Sequence, residues 1–133
     1  MIRLPRVSGS WRRDEGALTL SYVIVLPCVL LFIMVTVQAA FWFLARDAAL
    51  AAARQGTDAA RAHGARPSAG PAAAVAFARQ AGDGYLLDPR ASSARSTGAT
   101  IAITVRGHVP SFVPGVVVRI SETVQAPVEE FRS

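Results

Sequence analysis

From Ala17 to Ala45 the chain carries no charge over 29 consecutive positions, directly after Trp11-Arg12-Arg13-Asp14-Glu15-Gly16. About 20 apolar residues, each rising ~1.5 Å along a helix, cross a hydrocarbon core of ~30 Å. The run exceeds that length, so it spans with tilt or extends a turn or two beyond the bilayer. A core helix of a soluble domain needs a polar face, and here only Thr19, Ser21, Thr36 and Gln38 interrupt the apolar residues. The segment 17–45 therefore reads as a transmembrane helix, preceded by a short basic leader, residues 1–16.

Orientation follows from the flanking charges. Arg3, Arg6, Arg12 and Arg13 stand before the span against Asp14 and Glu15, while Arg46 and Asp47 nearly cancel after it. Positive residues stay on the cytoplasmic side, which puts the N-terminus inside the cytoplasmic membrane and residues 46–133 outside in a single pass. Trp11 and Tyr22 at one end, and Phe41, Trp42 and Phe43 at the other, suit the interfacial aromatic belts. A cleaved signal peptide is the rival reading, with a secreted product beginning near Ala40 or Phe41. Its apolar region should be ~7–15 residues long, and this run is about twice that. Pro27 is tolerated in a span because neighbouring groups satisfy the carbonyl it leaves free; it serves either as a simple kink or as a packing bend.

Residues 46–63 continue as an Ala-rich helix protruding beyond the membrane, with Gly56 its one weak point. Gly64 to Pro71 is a linker by its Gly and Pro content. Pro71 suits the first turn of a second helix that runs to about Ala81 and ends at Gly82-Asp83-Gly84. Residues 88–98 read as loop, with a short strand possible near Gly84-Tyr85-Leu86-Leu87. Ile101, Ile103 and Val105 then alternate with Ala102, Thr104 and Arg106, and Val116, Val118 and Ile120 alternate with Val117, Arg119 and Ser121. These are two half-buried strands joined by a wide loop holding Pro110 and Pro114. A lone hairpin is unstable, so its Ile/Val face is expected to pack on the second helix. The fold class is α+β: a long N-terminal helix followed by a small head, residues 64–133, of one helix and a β-hairpin or small antiparallel sheet.

The residues needed for catalysis are not arranged for it. His63 and His108 have no carboxylate or cysteine motif beside them and read as surface residues. Asp83, Asp88, Glu122, Glu129 and Glu130 lack acid/base or metal spacing, and Ser92, Ser93, Ser96 and Thr97 have no base partner. Cys28 stands alone inside the span, so it forms neither an intrachain disulfide nor a metal site. No glycine loop fits a phosphate. All 14 basic residues are arginines, spread without a block, which argues against nucleic acid as a partner. The expectation is a non-catalytic protein with no cofactor and membrane lipid as its surroundings. The charged tail Glu129-Glu130-Phe131-Arg132 reads as solvated.

Gly16-Ala17-Leu18-Thr19-Leu20-Ser21-Tyr22 followed by Val25-Leu26-Pro27 resembles the G-x-x-x-x-E-Y and aliphatic-Pro segment of the TadE-like minor pseudopilins. Ala52-Ala53-Arg54-Gln55-Gly56-Thr57-Asp58-Ala59-Ala60-Arg61 is similar to the Ala-Ala-Arg-x-Gly-Ala-Arg stretch that follows their membrane helix. The resemblance covers residues 12–63 and touches the head only loosely. It implies a component of a tight-adherence pilus or related secretion machine, with pilin-like and pilus-assembly membrane proteins as partners. It also implies a prepilin-peptidase cut between Gly16 and Ala17. Ser21, Tyr22 and Pro27 then form the membrane-helix motif, with Ser21 where the family has glutamate. In pilin-like proteins that carboxylate pairs with a neighbour's N-terminal amine; a serine hydroxyl offers a hydrogen bond there but does not neutralise the charge. The alternative is a generic bitopic envelope protein whose head binds a partner protein or wall component.

Overall fold

Helix α1, Arg12–Arg61, is an unbroken run of 50 residues, with Pro27 inside it. The computed structural model describes residues 12–62 and 65–128, with side chains from Thr19 onward. The basic residues before Arg12, the His63-Gly64 step of the linker and the charged tail lie outside the described residues. After α1 come α2, Ala69–Ala81, and three strands: β1, Leu87–Ser92; β2, Thr100–Val109; and β3, Val118–Pro127. The strands form one antiparallel sheet in the order β1-β2-β3. The α+β architecture expected from the sequence is the one observed.

Three local readings change. Residues 88–98, expected as loop, begin with the second to sixth residues of β1. Asp88-Pro89 hides this strand from a pattern search, since Pro lacks the ladder N–H and survives only at an edge or bulge. Both conditions hold here: β1 pairs only with β2, and its register slips between Leu87 and Arg90, where Asp88 sits at φ 47°. Of the short strand considered near Gly84–Leu87, only Leu87 is a strand residue. Val116 and Val117, read as the start of the last strand, belong instead to the loop before it.

The chain divides into two compact units, Met1–Thr36 and Val37–Ser133. In the first, the described part is helix alone. The second carries the core, built from a stripe of alanines on α1: Ala45, Ala48, Ala49, Ala52 and Ala53, all buried. Their spacing of three and four places them on one helical face. Ala74 and Ala78 of α2, Leu86, Ile103, Val105 and Val109, and Ile120 of β3 complete the cluster. The stretch 46–63, read as a protruding helix, thus supplies much of the head's core. That role was hidden because the buried face is built from alanine, whose small side chain gives little amphipathic contrast with the polar positions opposite it.

Helix α2 begins at Ala69, two residues before the expected Pro71, and so takes in Gly70. A Cβ built on Gly70 would lie 2.8 Å from Ala60 Cβ and 2.9 Å from the Gly56 carbonyl oxygen. One built on Gly56 would lie 2.7 Å from both Ala74 Cβ and the Gly70 carbonyl oxygen. The two glycines are reciprocal: each leaves the space that the other's backbone occupies. Ile103 closes the crossing from the sheet side, with Cγ2 3.1 Å from the Gly56 Cβ position. Beside it, the buried Thr57 hydroxyl donates to the Ala53 carbonyl at 2.8 Å, so no polar atom is orphaned there.

Strand β1 ends opposite Thr104, leaving the first residues of β2 without a neighbour on that side. Ser96 fills the gap. Its hydroxyl accepts from the Ala102 N–H at 2.9 Å and donates to the Ala102 carbonyl at 3.2 Å. One side chain therefore replaces a missing strand, satisfying a backbone pair at a residue that is fully buried. Ser96→Ala is expected to destabilise the head by about 1–2 kcal/mol, the cost of two lost hydrogen bonds at a buried backbone. Thermal melting would read it, and Ser93→Ala melting like the parent is the matched control.

Candidate membrane and assembly surfaces

Between Leu20 and Val37 the large aliphatic and aromatic side chains of α1 are exposed on every side, from Val37 at 39% to Phe32 at 74%. A helix apolar all round and unburied belongs in lipid or against other helices. Among the described residues it is the one helix long and apolar enough to cross a membrane. Its polar groups are managed locally; Thr36 donates its hydroxyl to the Phe32 carbonyl one turn back at 2.8 Å.

The motif residues do not converge. At ~100° per residue, Ser21, Tyr22 and Pro27 project in three directions more than about 90° apart. Ser21 and Tyr22 are exposed. Pro27 offers no N–H to the Val23 carbonyl, leaving an acceptor on the helix surface. Gly16 and Ala17 are part of α1. Together these residues form no pocket.

At the C-terminal end of the apolar run, side chains engage the β2–β3 loop, residues 110–117. Gln38 donates from Nε2 to the Pro110 carbonyl at 3.1 Å and accepts at Oε1 from the Phe112 N–H at 3.3 Å. Phe41 packs on Phe112 with ring centroids 5.9 Å apart. Arg46 lies over the Trp42 ring, 5.6 Å from its centroid, and bonds Glu122 of β3 at 2.9 Å. Arg46 is half exposed, so this ion pair contributes little to stability by itself.

The sheet also gathers charge that the sequence scatters. Arg90 pairs with Arg106 across β1 and β2, and His108 pairs with Arg119 across β2 and β3. With Asp88, Gly107 and Val117 these residues line a shallow cleft of about 440 Å³. Three guanidinium groups face one carboxylate there, and Asp88 lies 3.8 Å from His108 Nε2 while being largely exposed. Spacings of thirteen to sixteen residues between these arginines gave no linear cluster; only strand register makes one. The cleft has no nucleophile with a base beside it. No group of three or more metal-ligating side chains occurs among the described residues.

Comparison with known proteins adds one finding. Residues 16–58 match the family model described as TadE-like protein. No curated protein and no solved structure matches the chain. The matched segment begins at Gly16, takes in the apolar helix and ends at Asp58, just past the glycine of the α1–α2 crossing. Over residues 16–58, about a third of the chain, the protein is similar to the TadE-like family, and the same segment holds most of the one described helix long and apolar enough to cross a membrane.

Proposed function

We propose that the protein is a non-catalytic, single-pass component of a tight-adherence pilus or related secretion machine, with its N-terminus in the cytoplasm and its head outside. The observation that carries this reading is the match over residues 16–58, which covers the apolar helix and its Ala-rich continuation. The membrane helix acts by lateral packing against pilin-like and pilus-assembly proteins. Its side chains, exposed around the whole circumference, are suited to several neighbours at once. The leader is removed by a prepilin peptidase between Gly16 and Ala17. Ser21 then cannot neutralise a neighbour's amine, a role that would need a carboxylate. This favours an assembly component over a bulk filament subunit.

The N-terminal sequence of the protein recovered from membranes of its native host tests the reading directly. A start at Ala17 supports prepilin-type processing. A start at Met1 makes the chain a permanent anchor and removes the peptidase from its partners. Pro27→Leu restores the missing N–H in mid-helix and is expected to leave protein abundance unchanged while pilus assembly is lost. Normal assembly in that variant would mean that Pro27 is not a packing determinant.

A further inference from the structure

The loop between β2 and β3 is apolar and exposed, a combination that water does not favour. Phe112, Val113, Val116 and Val117 are 48–63% exposed. Val113-Pro114-Gly115-Val116 forms a tight turn, with Gly115 at φ 80° and the Val116 N–H donating to the Val113 carbonyl at 3.2 Å. Ser111 accepts from the Val113 N–H at 3.2 Å and donates to its carbonyl at 3.3 Å. Gln38 takes the Phe112 N–H and the Pro110 carbonyl. Pro110 and Pro114 have no N–H to satisfy. The loop thus presents large apolar side chains, and the Phe112 N–H, both backbone groups of Val113 and the Val116 N–H are paired within the protein, which lowers the cost of entering a medium poor in water.

Gln38 and Phe41 set the level of this loop. Counting about 20 residues from the start of the uncharged run at Ala17 reaches Thr36–Val37, where the hydrocarbon core ends. Phe41, Trp42 and Phe43 follow as the aromatic belt of the interface. A loop hydrogen-bonded to Gln38 and stacked on Phe41 lies at that boundary. The cationic cleft begins where the loop ends: Val117 lines it, and Arg119 and His108 form the second pair of the ladder above the loop. Arg106 lies two residues further along β2, about 7 Å at strand rise. Basic residues near an anionic membrane surface are attracted to it within about a screening length of ~8 Å.

We propose that this face of the head is a second membrane contact: the Phe112–Val117 loop inserts at the interface, and Arg90, Arg106 and Arg119 engage anionic lipid headgroups. The inference rests on the apolar helix being in the membrane, and the test reports that separately. Full-length protein is reconstituted in phosphatidylcholine vesicles with and without phosphatidylglycerol and labelled with an environment-sensitive fluorophore. The label is placed at the native Cys28, or at Val113→Cys or Gly98→Cys in a Cys28→Ser background. Gly98 lies in an open loop remote from the contact. Lipid-borne quenchers should strongly quench the Cys28 label, and the failure of that control alone would contradict membrane anchoring. The Val113→Cys label should be quenched about threefold more than the Gly98→Cys label, as for a group held 5–10 Å into the interface. The double variant Arg106→Gln/Arg119→Gln should weaken quenching at position 113 only in vesicles containing phosphatidylglycerol. Equal quenching at positions 113 and 98, with Cys28 buried in lipid, overturns the proposal. Quenching at 113 that is indifferent to lipid charge and to the double variant overturns the headgroup contact.

Discussion

Gly56→Leu is expected to abolish cooperative folding of the head while leaving the membrane helix inserted. The atoms in its way have no rotamer by which to retreat: the Gly70 carbonyl is backbone, and the Ala74 Cβ is fixed to it. Even Gly56→Ala places a methyl group 2.7 Å from both. Alanine gains up to ~1 kcal/mol of helix propensity over glycine, but overpacking a close crossing costs about 1–3 kcal/mol. The net loss of about 1–2 kcal/mol lowers the melting temperature of a domain of ~100 residues by roughly 5–15 °C. Leucine exceeds what a few tenths of an ångström of helix separation can absorb. The measurement is thermal melting in detergent together with limited proteolysis, which attacks the head once the crossing opens. Gly98→Ala meets nothing within 4 Å and should melt like the parent. If Gly56→Leu also melts like the parent, the α1–α2 crossing does not hold the head together.

Ile103→Ala is expected to cost about 2–5 kcal/mol, the range for truncating a large buried aliphatic side chain. Ile103 is fully buried at the centre of the sheet, and it closes the glycine crossing from the other side. Gly56 and Gly70, against which its side chain packs, have no side-chain atoms to move into a cavity. That places the loss towards the upper part of the range. Val128→Ala, at a partly exposed position beyond β3, should stay within about 0.5 kcal/mol. Denaturant titration of both variants distinguishes a core anchored on Ile103 from one in which burial is spread evenly.

The two variants also show what a sequence conceals in an alanine-rich head. Gly56 reads as a weak point in a helix, and it is one by propensity, but the crossing needs it. Helix α2 was visible from Pro71 onward, yet the residue that matters for packing, Gly70, lies just before it. Strand β1 was lost because Asp88 and Pro89 are poor strand formers that only an edge with a bulge accommodates. The arginines of the cleft are far apart in sequence, and nothing but the pairing of β1, β2 and β3 brings them together.

What the sequence determined alone is what depends on composition over a continuous window. A 29-residue uncharged run favours lipid as its surroundings, alternation marks the two long strands, and the spacing from Gly16 to Pro27 carries the resemblance to the TadE-like family. Each is a local property, readable without knowing the chain's partners. Tertiary structure decided the rest: which face of an alanine helix is buried, where two glycines meet, and that Gln38 of α1 holds the β2–β3 loop. Those outcomes depend on contacts across 14 to 74 residues of sequence. Alanine and glycine bring too little side chain to such contacts to leave a periodic trace.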